Sequence, residues 1–273
     1  MTITGATRVL AVIGDPVSHS LSPLMHNGWI KDHGLDAAYV ALPLRADDPA
    51  AAIRTLGSFG LAGANVTVPH KEAAARAADR TEDTAANVLR WEPDGSLSAF
   101  NTDGAGFLDA LSEAAPDWRG RVKSALILGA GGAASAIGKA LSAHVEAVRF
   151  ANRTQARADA VAAGVRNGGV ARWEDLPNAF ASADLIVQAT TLGMEGQARR
   201  DWPMSSCRAG AIVADIVYRP LETDFLRAAR ARGLAAMDGL GMLIHQGARA
   251  FELWFGTRPD PEKARARLMA ELG

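Results

Sequence analysis

The sequence predicts an α/β protein with two lobes, each built on a mainly parallel sheet that is covered by helices. Short β-rich runs alternate with helical runs almost throughout the chain, which is typical of crossovers between parallel strands. The alternation comes as two series, and residues 88–100 interrupt it between them. A glycine-rich turn follows the first strand pattern of the second series, where a helix pattern begins.

The first series contains three strand patterns and three helix patterns. The strands are predicted at 9–14, 38–44 and 62–68, and the helices at 24–33, 49–57 and 72–78. Residues 89–91 and 97–100 flank the turn Glu-Pro-Asp-Gly at 92–95, so this stretch predicts a hairpin or a strand pair at a sheet edge. Residues 104–114 then predict a helix that joins the lobes.

The second series has five strand patterns, followed by a helical tail. The strands are predicted at 125–128, 148–151, 185–189, 211–216 and 234–237. The tail at 240–273 places Phe251, Trp254 and Phe255 on one apolar face. The chain contains neither an internal repeat nor a low-complexity linker.

Composition limits the classes of partner. Hydrophobic residues make up 48% of the chain and charged residues 22%, and the net charge of −1 gives no electrostatic attraction to nucleic acid or an anionic membrane. The only cysteine, Cys207, cannot form a disulfide within the chain, and the six histidines show no metal-ligand spacing. No apolar run reaches the length of a membrane span, and the first eight residues are too polar for a signal peptide. We therefore expect a cytoplasmic protein with no bound metal.

The glycine-rich turn predicts a dinucleotide site of the Rossmann type. It reads Gly129-Ala130-Gly131-Gly132-Ala133-Ala134 and lies between a buried strand and a helix. Glycines at these places permit a tight turn and allow backbone N–H groups to approach a pyrophosphate at the positive end of the helix. A glycine-rich stretch alone is a weak signal, but this placement within a βαβ unit strengthens it.

The end of the next strand indicates which dinucleotide binds. An NAD site usually has Asp or Glu there, whereas this chain has Asn152, Arg153 and Thr154, with Arg157 one helical turn further on. Guanidinium groups pair with the 2′-phosphate of NADP, which a carboxylate would repel. The sequence therefore predicts NADP rather than NAD; the alternative is a surface pair of arginines.

Residues suited to proton transfer occur in two short motifs. The strand at 62–68 carries Asn65 and Thr67 on one face, and Lys71 follows where a loop turns into a helix. Asp103 belongs to the later motif Asn-Thr-Asp-Gly at 101–104. An ammonium group, a carboxylate and neutral hydrogen-bonding groups at strand ends suit proton transfer to a polyhydroxylated substrate. The alternative is a surface lysine at a helix start and an ordinary turn.

These motifs, with others along nearly the whole chain, resemble those of the shikimate dehydrogenase family. They are His-Ser-Leu-Ser-Pro at 19–23 with His-Asn at 26–27, Asn-Val-Thr-Val-Pro-His-Lys at 65–71, the segments 101–104, 129–134 and 152–154, Asp-Ile-Val-Tyr-Arg-Pro at 215–220, and Gly-Leu-Gly-Met-Leu at 239–243 with Gln246.

The resemblance implies a two-lobed enzyme that reversibly reduces 3-dehydroshikimate to shikimate, on the route to chorismate and the aromatic amino acids. Residues 1–103, completed by the C-terminal helices at 240–273, would form the substrate domain. Residues 104–239 would form the Rossmann-like NADP-binding domain, with the active site in the cleft. We expect a monomer or a homodimer.

The resemblance also implies roles for individual residues. Lys71 and Asp103 would be catalytic. The substrate-binding residues would be Ser20, Ser22, Asn65, Thr67, Asn87, Tyr218 and Gln246. Thr190, Ile216, Gly239 and Met242 would surround the nicotinamide end of the cofactor. The structural alternatives are that Ser22 only caps a helix, that Gln246 lies on an exposed helix face, and that Ile216 and Met242 are plain core residues.

Three departures from the family pattern keep other functions open. The segment between Lys71 and Asn87 is several residues shorter than usual, Gln188 replaces the usual asparagine before Ala-Thr, and Ala99-Phe100 replaces more polar residues. One alternative is a paralogous oxidoreductase acting on quinate or an aminated shikimate. The other is a catalytically silent NADP-binding sensor, which the presence of Lys71 and Asp103 disfavours.

Overall fold

The computed structural model describes residues 2–272 and has two compact units, each with its own sheet. The first unit comprises Met1–Thr102 and Gln246–Gly273, and the second comprises Asp103–His245. The chain therefore leaves the first unit after Thr102 and returns to it within the helix Gly239–Phe255. The predicted α/β class with mainly parallel sheets is confirmed.

The first unit contains a five-stranded sheet in the order β2-β1-β3-β4-β5. Its strands are β1 (Arg8–Gly14), β2 (Ala37–Pro43), β3 (Leu61–Val66), β4 (Val88–Trp91) and β5 (Leu97–Phe100). Strand β1 pairs in parallel with β2 and β3, whereas β4 and β5 form an antiparallel hairpin. The predicted hairpin is confirmed. Its helices are α1 (Ser22–Asp32), α2 (Pro49–Thr55) and α3 (Lys71–Ala77).

Strand β3 ends at Val66, two residues earlier than predicted. The Thr67 N–H still bonds to the Ile13 carbonyl at 2.8 Å, but the His70 N–H bonds to the Thr67 carbonyl at 3.0 Å, which closes a turn. Pro69 has no N–H with which to continue the ladder. The turn leads directly into α3, so Lys71 is the first residue of a helix.

Two helices close the first unit, within the helical tail predicted at 240–273. They are α10 (Gly239–Phe255), of which the residues from Gln246 onward belong to this unit, and α11 (Pro261–Leu272). Gly256 has a φ of 70°, a left-handed conformation that ends a helix and that glycine adopts without strain. The predicted apolar face is confirmed, since Phe251 and Trp254 are buried. Gly63 allows the Trp254 indole to approach the sheet, where its N–H bonds to the Leu89 carbonyl at 2.9 Å.

The second unit contains a six-stranded parallel sheet in the order β11-β10-β9-β6-β7-β8. Its strands are β6 (Ser124–Leu128), β7 (Ala147–Ala151), β8 (Gly168–Val170), β9 (Leu185–Gln188), β10 (Ile212–Asp215) and β11 (Ala235–Met237). The strand order reverses between β6 and β9, which is the switch point of a doubly wound Rossmann-type sheet. Strand β8 was not predicted, because Gly-Gly-Val lacks a strand pattern.

Helices cover both faces of this sheet. They are α4 (Asp103–Ala114), α5 (Trp118–Arg121), α6 (Gly132–Leu141), α7 (Gln155–Ala163), α8 (Leu176–Ala181) and α9 (Asp224–Ala231). One core contains Phe107, Trp118 and Phe150, and the other contains Phe180 and Phe225. None of the helices within residues 2–272 has the length and apolar character needed to cross a bilayer. The same residues contain no group of three or more His, Cys, Asp or Glu side chains arranged to hold a metal ion.

Candidate functional site

Ser20 and Ser22 lie where the loop after β1 enters helix α1. Ser22 is the first helical residue and is buried, whereas the N-cap position belongs to Leu21, whose side chain makes no capping bond. The Ser20 hydroxyl accepts a hydrogen bond from the Ser22 N–H at 3.3 Å. The alternative that Ser22 caps the helix is therefore wrong, and its hydroxyl has no such structural task.

Asn65 is held in a fixed orientation by two neighbours. The Tyr39 hydroxyl donates a 2.7 Å hydrogen bond to Asn65 Oδ1, and Asn65 Nδ2 donates to the Asn87 carbonyl at 3.2 Å. Tyr39, Asn65 and Asn87 are all buried. Because its oxygen and its nitrogen face different partners, the Asn65 amide has one preferred direction in the sheet.

The Asn87 side chain joins Asn65 to two further residues. Its Nδ2 donates to Thr102 Oγ1 and to Gln246 Oε1, both at 3.0 Å, and its Oδ1 accepts from the Thr102 N–H at 2.7 Å. The Thr102 hydroxyl donates in turn to the Gln246 carbonyl at 3.1 Å. Three predicted substrate-binding residues, Asn65, Asn87 and Gln246, thus belong to one hydrogen-bonded network. The alternative of an exposed Gln246 is wrong, because the residue is half-buried and bonded.

Tyr39 and Thr102 are members of this network that the sequence interpretation did not assign. Thr102 belongs to the Asn-Thr-Asp-Gly motif, so the sequence pointed to this segment. It did not show that the Thr102 hydroxyl bonds to Gln246. A buried tyrosine hydroxyl needs a partner, which was the only available signal for Tyr39. The partner itself was hidden, because β1 lies between the strands that carry Tyr39 and Asn65.

The remaining predicted polar residues of this part of the chain stand at element ends. Thr67 is half-buried in the turn after β3, and Gly14 leaves room for its methyl group. Lys71, also half-buried, is the first residue of α3. Asp103 is 4% exposed and begins α4, where the positive end of the helix favours a carboxylate.

The glycine-rich turn has the geometry that a pyrophosphate site needs. Gly129 has a φ of 116°, and a Cβ there would lie 2.8 Å from the Ala189 carbonyl oxygen, so only glycine fits. Gly131 is the N-cap of α6, whose first turn receives no side-chain capping bond. Gly131 and Gly132 are exposed, and Ala130 and Ala133 are half-buried. The free helix end and the open backbone fit a bound diphosphate.

Two arginines follow β7 at the same edge of the sheet. Asn152 fixes this loop, because its Nδ2 donates to the Thr154 carbonyl at 3.0 Å. Arg153 and Arg157 are exposed and form no ion pair with any described residue between 2 and 272. The Gly129 N–H bonds to the Ala151 carbonyl at 2.8 Å, which ties the loop to the glycine-rich turn. Unpaired guanidinium groups beside that turn fit the 2′-phosphate of NADP.

The residues predicted to surround the nicotinamide lie at the ends of β9 and β10 and at the start of α10. Thr190 and Ile216 are half-buried, and Gly239 packs so closely on Ile216 that a Cβ would lie 2.5 Å from its carbonyl group. Met242 is buried in the hydrophobic core, and Ile216 packs against that core. Tyr218 is half-buried, and burial raises its pKa above the ordinary value of 10.0.

Two curated relatives of this chain have the same name. A protein of Rhodospirillum rubrum named shikimate dehydrogenase (NADP(+)) is 44% identical over 96% of each chain. One of Methylocella silvestris with the same name is 47% identical over 94% of each chain. The chain belongs to the shikimate dehydrogenase family. The predicted family membership is confirmed.

Domain families and solved structures of shikimate dehydrogenases agree with this placement. Residues 12–89 match the shikimate dehydrogenase substrate binding domain, 113–197 match shikimate / quinate 5-dehydrogenase, and 239–269 match the shikimate 5'-dehydrogenase C-terminal domain. A shikimate dehydrogenase in complex with NADP+ is 33% identical, with a TM-score of 0.91 over 100% of this chain and 98% of that one.

Two further solved structures of this family differ in their ligands. The Thermus thermophilus enzyme in complex with NADP(H) and shikimate is 37% identical, with a TM-score of 0.83 over 96% of this chain and 100% of that one. A quinate dehydrogenase of Corynebacterium glutamicum in complex with NAD is 29% identical, with a TM-score of 0.89 over 97% and 99%. The family fold thus accompanies both shikimate and quinate dehydrogenases.

Proposed function

We propose that this chain is an NADP-dependent oxidoreductase that reversibly reduces 3-dehydroshikimate to shikimate, a step of aromatic amino acid biosynthesis. The observation that carries the proposal is the network of Asn65, Asn87 and Gln246 in a chain of this family. Buried amides in fixed directions recognise a ring that carries several hydroxyl groups. Asn65 Nδ2 has a second N–H with which to bind a substrate hydroxyl, and a substrate that lacks this hydroxyl would leave that N–H unpaired.

The substrate carboxylate is assigned to the hydroxyl groups at the start of α1, from Ser20 and Ser22, and to Tyr218. Thr67 completes the set of ring-binding groups with Asn65. Ser22 supports this assignment, because it is buried yet makes no helix-capping bond. Hydroxyl donors hold a carboxylate without the cost of burying an additional positive charge.

Proton transfer is assigned to Lys71. Negative charge grows on the substrate oxygen during reduction, and an ammonium group stabilises that charge and donates the proton. Asp103 is assigned to accept a hydrogen bond from a substrate hydroxyl. Its position at the beginning of α4 supports this role, since the positive end of a helix attracts a carboxylate.

The cofactor is NADP, which supplies hydride transfer when bound. The backbone of Gly129, Ala130, Gly131, Gly132 and Ala133 would hold its pyrophosphate. Asn152, Arg153, Thr154 and Arg157 would hold the ribose phosphate, and Thr190, Ile216, Gly239 and Met242 would enclose the nicotinamide end. The unpaired Arg153 and Arg157 support NADP over NAD, because a 2′-phosphate needs cationic partners.

Two other functions serve as the competing hypotheses. Quinate dehydrogenase activity is favoured by the similarity to a quinate dehydrogenase structure and by the short segment between Lys71 and Asn87. An aminated shikimate would be a related substrate. A silent NADP-binding sensor would bind the cofactor without turnover.

The test is NADPH oxidation with 3-dehydroshikimate and with 3-dehydroquinate, together with the reverse reactions and a blank without substrate. We expect turnover with the shikimate pair. Faster turnover of the quinate pair would establish the second function, and NADPH binding without any turnover would establish the sensor. Lys71→Ala should lower kcat about a hundredfold or more while KM changes little. An unchanged kcat would remove Lys71 from the mechanism; Lys31→Ala, on the exposed side of α1, is the matched control.

Location and assembly are further parts of this proposal. We assign the protein to the cytoplasm as a monomer or homodimer that binds small molecules and neither nucleic acid nor membrane. The single cysteine and the near-neutral net charge support this assignment. Cell fractionation tests the location, and light scattering during gel filtration tests the assembly.

A further inference from the structure

A buried polar pair lies beneath the loops that carry the predicted nicotinamide-binding residues. Gln188 ends β9 and Asp215 ends β10, and the two residues stand opposite each other in the parallel register. Each is 0% exposed. A buried amide and a buried carboxylate need hydrogen-bond partners. The partners of Gln188 and Asp215 therefore show which segments the two side chains hold in place.

The Gln188 side chain closes the loop that follows β9. Its Oε1 accepts from the Thr190 hydroxyl at 2.7 Å and from the Thr190 N–H, and its Nε2 donates to the Leu192 carbonyl at 2.8 Å. The Thr190 hydroxyl also accepts from the Leu192 N–H at 3.1 Å. One amide group therefore fixes both the backbone and the side chain of Thr190.

The Asp215 carboxylate performs the same task for the neighbouring loop. Its Oδ1 accepts from the Val217 N–H at 2.9 Å and from Gln188 Nε2 at 3.4 Å. Its Oδ2 accepts from the Thr223 hydroxyl at 2.7 Å, and Thr223 is the N-cap of α9. Burial raises the pKa of Asp215 to about 6, while the bonds from Thr223 and Val217 oppose that shift.

The two loops held in this way contact two glycines that we assign to the cofactor site, Gly129 and Gly239. A Cβ on Gly129 would lie 3.1 Å from Thr190 Cγ2, so Thr190 packs directly on the first glycine of the pyrophosphate turn. A Cβ on Gly239 would lie 2.5 Å from the carbonyl groups of Ile216 and Val217. A shift of the Thr190 loop would therefore move the surface at Gly129, and a shift of the Ile216 loop would move the surface at Gly239.

The length of the Gln188 side chain matters for this arrangement. Asparagine is one methylene shorter, so its amide would lie closer to the backbone. An asparagine at this place could not keep the bonds to Thr190, Leu192 and Asp215 together at these lengths. The contact between the two loops therefore depends on the length of the Gln188 side chain.

We propose that Gln188, together with Asp215, is a positioning residue that holds Thr190 and Ile216 in place for the nicotinamide end of NADP. This inference rests on the proposed function. It assigns no contact between Gln188 and the cofactor. Instead, loss of the amide leaves the Thr190 N–H and the Leu192 carbonyl without their partner, so the loop must find another conformation.

The test compares Gln188→Leu and Gln188→Asn with the wild type. Gln197→Leu is the matched control, because Gln197 is exposed and lies in the same connection after β9. NADPH affinity is measured by titration calorimetry, the KM values of both ligands by steady-state kinetics, and folding by thermal unfolding. We expect Gln188→Leu to weaken NADPH binding about tenfold or more, with the KM for shikimate changed less than about twofold. Gln188→Asn should fall between it and the wild type.

Three results would overturn the inference. The first is an NADPH affinity within about twofold of wild type in Gln188→Asn and, where it folds, in Gln188→Leu. The second is an equal loss of affinity for NADPH and for shikimate in these variants. The third is a loss of NADPH affinity in Gln197→Leu as large as that in Gln188→Leu. The Asn variant keeps the test decisive if the Leu variant does not fold. Wild-type protein that fails to bind NADPH would refute the proposed function, and this inference with it, before any variant is compared.

Discussion

Acid should destabilise this protein through one buried histidine, His26. Its ring stacks on Tyr39 at 4.3 Å between centroids and contacts Trp29 and Trp254, and the residue is 1% exposed. Within residues 2–272 neither ring nitrogen has a hydrogen-bond partner. Burial lowers the pKa of His26 from 6.5 to about 3, and the neighbouring Asn65 side chain only partly opposes this effect.

The sign and size of the effect follow from these two pKa values. Below pH 6.5 the unfolded chain binds a proton at His26, whereas the folded chain does not do so until the pH approaches 3. The stabilising contribution of the neutral ring is therefore complete above the unfolded pKa and is lost as the pH falls. At about 1.4 kcal/mol per unit, the loss is about 2 kcal/mol at pH 5 and about 3 kcal/mol at pH 4.

Urea unfolding of wild type and His26→Leu at about pH 7.5 and pH 5 measures this loss. Leucine has a similar volume, and any packing change affects both pH values equally. We expect the wild type to lose about 2 kcal/mol more than the variant between the two conditions. His33→Leu, an exposed neighbour after α1, should behave as the wild type. Equal losses in wild type and His26→Leu would refute the reasoning.

Three further outcomes are expected. Tyr39→Phe leaves Asn65 Oδ1 without its donor, so the free energy of unfolding should fall by about 1–3 kcal/mol and the KM for shikimate should rise, as urea unfolding and kinetics would show. An unchanged KM would separate Tyr39 from substrate binding. Arg153→Ala should weaken NADP binding about tenfold or more and leave NAD binding unchanged, and equal effects on both cofactors in calorimetry would contradict the phosphate assignment. Gly129→Ala forces a side chain against the Ala189 carbonyl, so calorimetry should detect no NADPH binding and thermal unfolding should show a loss of about 1–3 kcal/mol; wild-type affinity would contradict the tight-turn argument.

Local chemistry made much of the fold predictable. The Glu-Pro-Asp-Gly turn identified the hairpin of β4 and β5, because proline and glycine restrict the backbone whatever the surroundings. The glycine-rich turn identified the β6–α6 connection for the same reason. Strand β8 was missed, because Gly168–Val170 has no pattern of its own and is a strand only through its pairing with β7.

The residues of the candidate site also fall into two groups, those that the sequence indicates and those that only the fold brings together. Asn65, Lys71 and the glycines were assigned to the candidate site from motifs that are contiguous in the chain. Tyr39 was not found, because its bond to Asn65 depends on the order of three strands in the sheet. The bond between Gln188 and Asp215 likewise forms only because β9 and β10 are neighbours in the sheet. The sequence alone does not show which strands are neighbours.

The discontinuity of the first unit has a consequence for biosynthesis. Arg8 and Arg90 donate to the carbonyls of Trp254 and Leu253, so the part of the first unit that precedes the second unit is completed by residues translated after it. The second unit, in contrast, is one uninterrupted stretch, Asp103–His245. On the ribosome, Asp103–His245 can finish folding first. The unit that contains Tyr39 and Asn65 is completed only after the later residues of helix α10 have emerged.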